Sequence, residues 1–283
     1  MVAASPNRRS FLKTLGAASA GVAALSLAEV PKAHAVTATE IEGLQFALNL
    51  EYLESEFYSY AVHGKGIESF GVGISGQANG SNSTSGGITT GAAQVNFNNN
   101  TSHTQDIAIG IGEDERAHVT LLRSALGGDV IAKPNINLNA LGLSTGKLND
   151  YLRQARIFED IGTTAYAGTA GLLSTASVIT TAARILAAEG QHTASLRTLI
   201  DLMSVTTTAI DGADILPPPS GQQYRIASLY VQNGLVATRT PQQILYRAFG
   251  NKDGATSGGF FPYGVNGAIT TSGAAATSAN LNT

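Results

Sequence analysis

The chain has 283 residues, 43% of them hydrophobic, with 17 basic against 20 acidic side chains and no cysteine. A chain of this length buries a sizeable core in one domain. The lack of cysteine excludes disulfides, thiolate metal sites and iron–sulfur clusters, and the mild acidity supplies no basic face or stripe for nucleic acid.

Residues 1–35 read as an export signal. Arg8, Arg9 and Lys13 form a charged start, and Leu15 to Ala28 is an apolar stretch too short to span a bilayer. Ala33-His34-Ala35 is a small-x-small cleavage site. The segment Asn7-Arg8-Arg9-Ser10-Phe11-Leu12-Lys13 looks like a twin-arginine signal, which hands folded proteins across the inner membrane. An uncleaved anchor and an ordinary secretory signal are the alternatives. Cleavage near Ala35 leaves 248 residues with 13 basic and 19 acidic side chains, a net charge of −6, in the periplasm or otherwise exported. No later stretch is long and apolar enough to be a transmembrane segment of the mature chain.

Four segments then carry apolar residues at helical spacing. The first runs from about Thr39 to Val62. A Gly/Ser/Asn/Thr-rich stretch follows and predicts a long polar loop, about 66–102. The second helix runs from about Thr104 to Leu126 and stops at Gly127-Gly128. The third covers about Leu148 to Leu173. Ser174 or Ser177 is a candidate cap for the fourth, which continues to about Val205. Each helix would be about 36 Å long, and the connection between the second and third reaches about 60 Å when extended. That permits two antiparallel pairs joined by one long crossover, a bundle over 36–205. After Asp211 the pattern changes. Pro217-Pro218-Pro219 stops any helix, Tyr224 to Val231 reads as a short strand or helix, and Thr240-Pro241 opens a short helix to Phe249. Residues 206–267 are expected to wrap the bundle, and 268–283, small and polar, to be a disordered tail.

The chemistry lies in two matching motifs, Glu115-Arg116-Ala117-His118 on the second helix and Glu189-Gly190-Gln191-His192 on the fourth. Residues three apart share a helix face, so each Glu and His can bind one metal together. The first and third helices supply Glu51 and Glu159, each followed seven residues later by a tyrosine, Tyr58 and Tyr166, on the same face. One pattern thus occurs twice, Glu-x6-Tyr and then Glu-x2-His, as an ancestral duplication with a later insertion would leave it. A Glu from each of two helices plus Glu-x2-His from the other two is the ligand set of di-iron and di-manganese carboxylate bundles. Oxygen and nitrogen donors without sulfur suit iron or manganese, although donor type alone leaves zinc and copper open. Acidic residues on bundle helices usually face solvent. Here Glu51 lies among Phe46, Leu48, Leu50 and Tyr52, and Glu159 follows Ile157 and Phe158, and buried carboxylates need cations.

Glu54 reads as a surface or flanking acid, or as a further ligand. Asp114 and Asp160 point elsewhere on their helices, and His63 and His103 read as surface residues. Tyr58 and Tyr166 are core aromatics before they are redox participants. Gly110 and Gly112 weaken the second helix just before Glu115, and Gly190 threatens the position of His192.

Several stretches resemble a known family: Ala47-Leu48-Asn49-Leu50-Glu51-Tyr52-Leu53-Glu54, Glu113-Asp114-Glu115-Arg116-Ala117-His118-Val119, Phe158-Glu159-Asp160, and Gly258 to Gly267. They are similar to the ferritin-like domain proteins that include plant desiccation-related proteins and many exported bacterial members. The resemblance implies an all-α ferritin-like four-helix bundle and, by analogy with the wider superfamily, the two-metal site. It names no single reaction. Redox chemistry with oxygen or peroxide, catalase-like or ferroxidase-like, is the first expectation. A non-enzymatic envelope protein of stress or desiccation tolerance is the alternative, and a storage cage is weaker because the polar loop and C-terminal extension would obstruct a shell. A homo-oligomer is left open.

Overall fold

The computed structural model of the chain describes residues 37–97, 103–144, 146–221 and 235–277. The expected export signal, Tyr224 to Val231 and the last six residues of the tail lie outside the described residues. Helix α1 spans Ala38–His63. It begins with a reciprocal cap in which the Thr37 hydroxyl accepts from the Glu40 amide at 3.2 Å and Glu40 accepts from the Thr37 amide at 2.9 Å. It ends at Gly64, which turns left-handed at φ 68°. Apart from its two ends α1 is buried on nearly every side, so it is the inner helix of the bundle.

Helix α2 spans Thr104–Leu126, α3 Leu148–Thr169 and α4 Ala176–Leu202. All three are continuous, so Gly110, Gly112 and Gly190 do not interrupt them. Gly112 has a packing reason, since a Cβ there would lie 3.0 Å from that of Tyr58. The expected cap of α4 at Ser174 or Ser177 is instead Thr175. No hydroxyl caps it; the Glu40 carboxylate crosses from α1 and accepts the amides of Ser174 and Thr175 at 2.7 and 2.5 Å.

Contacts fix the topology. Arg116 meets Ser59, Arg123 meets Tyr52 and Gln45 meets Asp129, so α1 and α2 run antiparallel. Asp160 with Arg197 and Thr163 with Thr193 set α3 antiparallel to α4. Tyr166 on Glu51 and Phe57 on Phe158 do the same for α3 and α1. Helices α2 and α3 therefore point the same way, and the 127–147 connection must return along the bundle. This is the expected crossover.

The polar stretch before α2 is more ordered than its composition predicts. After a 3-10 turn at Ile67–Phe70 it pairs with the crossover, as strand β1, Thr89–Thr90, runs parallel to β2, Ile136–Asn137. Glycine permits the approach, for a Cβ at Gly87 would lie 2.4 Å from the Asn135 nitrogen. Beneath it Lys133, 2% exposed, reaches the buried Glu56 at 2.5 Å.

Helix α5, Pro241–Ala248, opens with its own capping box from Thr240 and Gln243 and packs on α3. The C-terminal segment enters the core: Phe260 meets Phe158 edge-on at 5.1 Å, joining the cluster of Phe57, Tyr151 and Phe97. Asn266, 1% exposed, exchanges hydrogen bonds with Asn49 at 2.8 and 3.0 Å. Its side chain also donates to the Ala132 carbonyl at 2.8 Å and accepts from the Asn79 amide at 2.7 Å. The tail expected to be disordered from 268 is held as far as 277. Ser272 is buried and bonded to Lys252 and Ala255, and the Ala276 carbonyl accepts from Gly212. Small polar residues are read as solvated from composition alone, whereas here their backbone groups find partners in a groove of the fold.

Candidate metal centre

All six residues singled out by spacing meet inside the bundle. Glu51 comes from α1, Glu115 and His118 from α2, Glu159 from α3, and Glu189 and His192 from α4. The four glutamates are fully buried and the histidines nearly so. Potential ligand atoms fall into two groups, each within 4.8 Å throughout: Glu51, Glu115, His118 and Glu189, and Glu115, Glu159, Glu189 and His192. Glu115 and Glu189 belong to both. His118 Nδ1 lies 3.2 Å from Glu51 and 3.5 Å from Glu115. His192 Nδ1 lies 3.1 Å from both Glu115 and Glu159.

Charge does not balance among these side chains. Burial, and then the Glu115, Glu159 and Glu51 charges, push Glu189 well above the carboxylate range. Burial likewise lifts Glu51 to about 7 against the pull of His118. For Glu115 the burial penalty is outweighed by both histidines, which hold it low. Burial works against a charged His118, but Glu51 and Glu115 push it up to about 12, and Glu159 with Asp114 and Glu115 raises His192 further still. Seven buried oxygen and nitrogen atoms of the set make no hydrogen bond, including both oxygens of Glu115 and of Glu189. Buried polar atoms are nearly always partnered. An array of hard oxygen donors with two imidazoles, left short of positive charge, fits metal cations.

Five neighbours complete the site. Each tyrosine serves the opposite half: Tyr166 on α3 donates to Glu51 on α1, whereas Tyr58 on α1 lies beside Glu159 on α3. Same-helix spacing placed each tyrosine on the correct face but paired it with the wrong glutamate, because neighbouring helices interdigitate. Asp114, expected to point away, instead contacts His192 Nε2 at 3.2 Å, leaving Nδ1 toward the carboxylates. A carboxylate behind a histidine fixes its tautomer and ring orientation. Glu54 is buried, not on the surface; burial and the Glu189, Glu115 and Glu159 charges raise it strongly. It lies outside both ligand groups. Gly162 was not foreseen: a Cβ there would sit 2.4 Å from Glu189 Oε2, so only glycine leaves room for that carboxylate.

Asp160 does point away from the centre, into a buried ion-pair network. It meets Arg156 at 2.5 Å and Arg197 at 2.9 Å, and Asp214 from the C-terminal extension also binds Arg156. Arg239 joins the same wall through Asp211 at 2.8 Å. His63 and His103 are exposed, away from the site.

Comparison with curated proteins gave no match. A model of the ferritin-like domain matches residues 39–202, a span that holds the four bundle helices and all six converging side chains. By that match and the topology described above, the chain belongs to the ferritin-like domain family.

Proposed function

We propose that this is an exported metalloprotein whose bundle holds two iron or manganese ions at Glu51, Glu115, His118, Glu159, Glu189 and His192, for redox chemistry with oxygen or peroxide. The observation that carries the reading is the convergence of four fully buried glutamates on two histidines. Glu115 and Glu189, common to both groups, would be shared by the two sets of donors, which Glu51 with His118 and Glu159 with His192 would complete. When bound, such a pair supplies reversible changes of oxidation state toward a small oxidant. The protein's own part is to hold these donors. Tyr166 keeps a proton on its hydroxyl and orients Glu51, Asp114 orients His192, and the surrounding apolar side chains exclude bulk water.

A small oxidant fits the space available. The cleft that reaches Glu54 beside the site, lined by Leu50, Leu53, Phe158 and Ile161, has a volume of about 20 Å³, roughly that of one water-sized guest. The same narrowness favours one second reading, an envelope protein of stress or desiccation tolerance in which the ions staple the bundle.

Elemental analysis of protein from its native compartment is expected to find about two iron or manganese ions per chain. Glu115→Ala combined with His192→Ala should lose them. Near-stoichiometric metal with turnover of neither peroxide nor ferrous iron would sink the redox reading and leave the staple. Export is checked separately: Arg8→Lys with Arg9→Lys should leave the precursor in the cytoplasm.

A further inference from the structure

A separate cavity lies away from the candidate metal centre. It opens between the crossover, α3, the 206–208 segment and α5, has a volume of about 430 Å³, and falls within the size range of small-molecule sites. Its polar wall is made by Arg153, Arg156, Thr207 and Arg247, and its apolar wall by Leu141, Leu143 and Ile157.

The charges around this cavity single out Arg247. Arg153 is paired with Asp150, Arg156 with Asp160 and Asp214, Arg197 with Asp160, and Arg239 with Asp211. Five arginines thus face four aspartates, and Arg247 is the surplus cation. Among the described residues it makes no ion pair, and its one hydrogen bond, at 3.1 Å, goes to the neutral Asn251. An arginine seated beside an apolar wall selects a flat anion that carries an apolar body.

We propose that this cavity binds a small organic monocarboxylate, its carboxylate held by the Arg247 guanidinium and its body against Leu141, Leu143 and Ile157. Ile157 and Arg247 also line the narrow cleft that includes Glu54, so the two spaces adjoin. The proposal does not depend on any metal being bound.

Fluorine NMR titration of the mature protein with para-fluorobenzoate tests it, with para-fluorobenzamide and inorganic phosphate as the neutral and bodiless comparisons. The carboxylate should bind, and the amide and phosphate should bind at least about tenfold more weakly. Arg247→Gln should weaken the carboxylate by about tenfold or more, and Arg247→Lys by less. Glu115→Ala with His192→Ala should leave binding unchanged, which separates this site from the metal centre; circular dichroism checks that every variant is folded. No carboxylate binding, equal binding of the amide or phosphate, full affinity in Arg247→Gln, or loss in the Glu115/His192 variant would each overturn the proposal.

Discussion

Glu189 is fully buried beside Glu115, Glu159 and Glu51, and its carboxyl is held far above the usual range by burial and by those charges. A group whose folded value is raised above its ordinary 4.5 costs the folded state stability once the pH climbs past that value. Glu189→Gln keeps the shape and removes the charge. In metal-free protein it is expected to gain about 1 kcal/mol, or about 2–4 °C in melting temperature, at neutral pH. The gain should vanish below 4.5, and metal content should fall. Melting curves across pH, with elemental analysis, check both. At this scale the ligands were legible because Glu-x2-His is a local spacing, and a helix enforces it. Asp114 was not, because its partner His192 lies 78 residues away, on another helix. Gly162 gave no signal either, since its role is to be absent where Glu189 lies.

Element ends follow the same division. Thr37 and Glu40, or Thr240 and Gln243, announce a helix within four residues, and the four bundle helices begin and end close to where periodicity puts them. The start of α4 is different, because its amides are taken by Glu40 from 135 residues away. Those amide bonds, together with Thr37, hold the Glu40 carboxyl below its ordinary 4.5. Its contribution is therefore complete above 4.5 and is lost as the pH falls toward the lower folded value. Glu40→Gln should melt below wild type at neutral pH, with the gap closing as the solution is acidified below 4.5. Between α3 and α4, Asp160→Asn would remove the charge shared by Arg156 and Arg197, both fully buried. Breaking one partner of such a network costs about 3–5 kcal/mol, measurable by urea denaturation.

Across the whole molecule, α1, the polar stretch, the crossover and the C-terminal segment meet at Asn266. Asn266→Ala leaves several buried groups unpartnered and should cost about 2–4 kcal/mol. Hydrogen exchange should show faster opening in 74–90 and 130–139 than in the lower half of the bundle. The same feature explains what composition could not reveal. Residues 71–97 are rich in Gly, Ser, Asn and Thr and residues 268–277 in Ala and Thr, and such segments read as loose because nothing local holds them. Their order comes from partners far along the chain, so only the folded chain contains it.

The sharing of Glu115 and Glu189 between the two ligand groups bears on origins. The α1–α2 hairpin alone owns Glu51, Glu115 and His118 but lacks the fourth member of its group, and α3–α4 is incomplete in the mirrored sense. The crossed tyrosines repeat the dependence. A single ancestral hairpin could have finished a site only by meeting a copy of itself, with occupancy governed by protein concentration. Joining two copies through the crossover replaces that encounter with a fixed effective concentration. It also frees each half to diverge, and only the first half carries a long segment between its two helices, which Asn266 meets at Asn79.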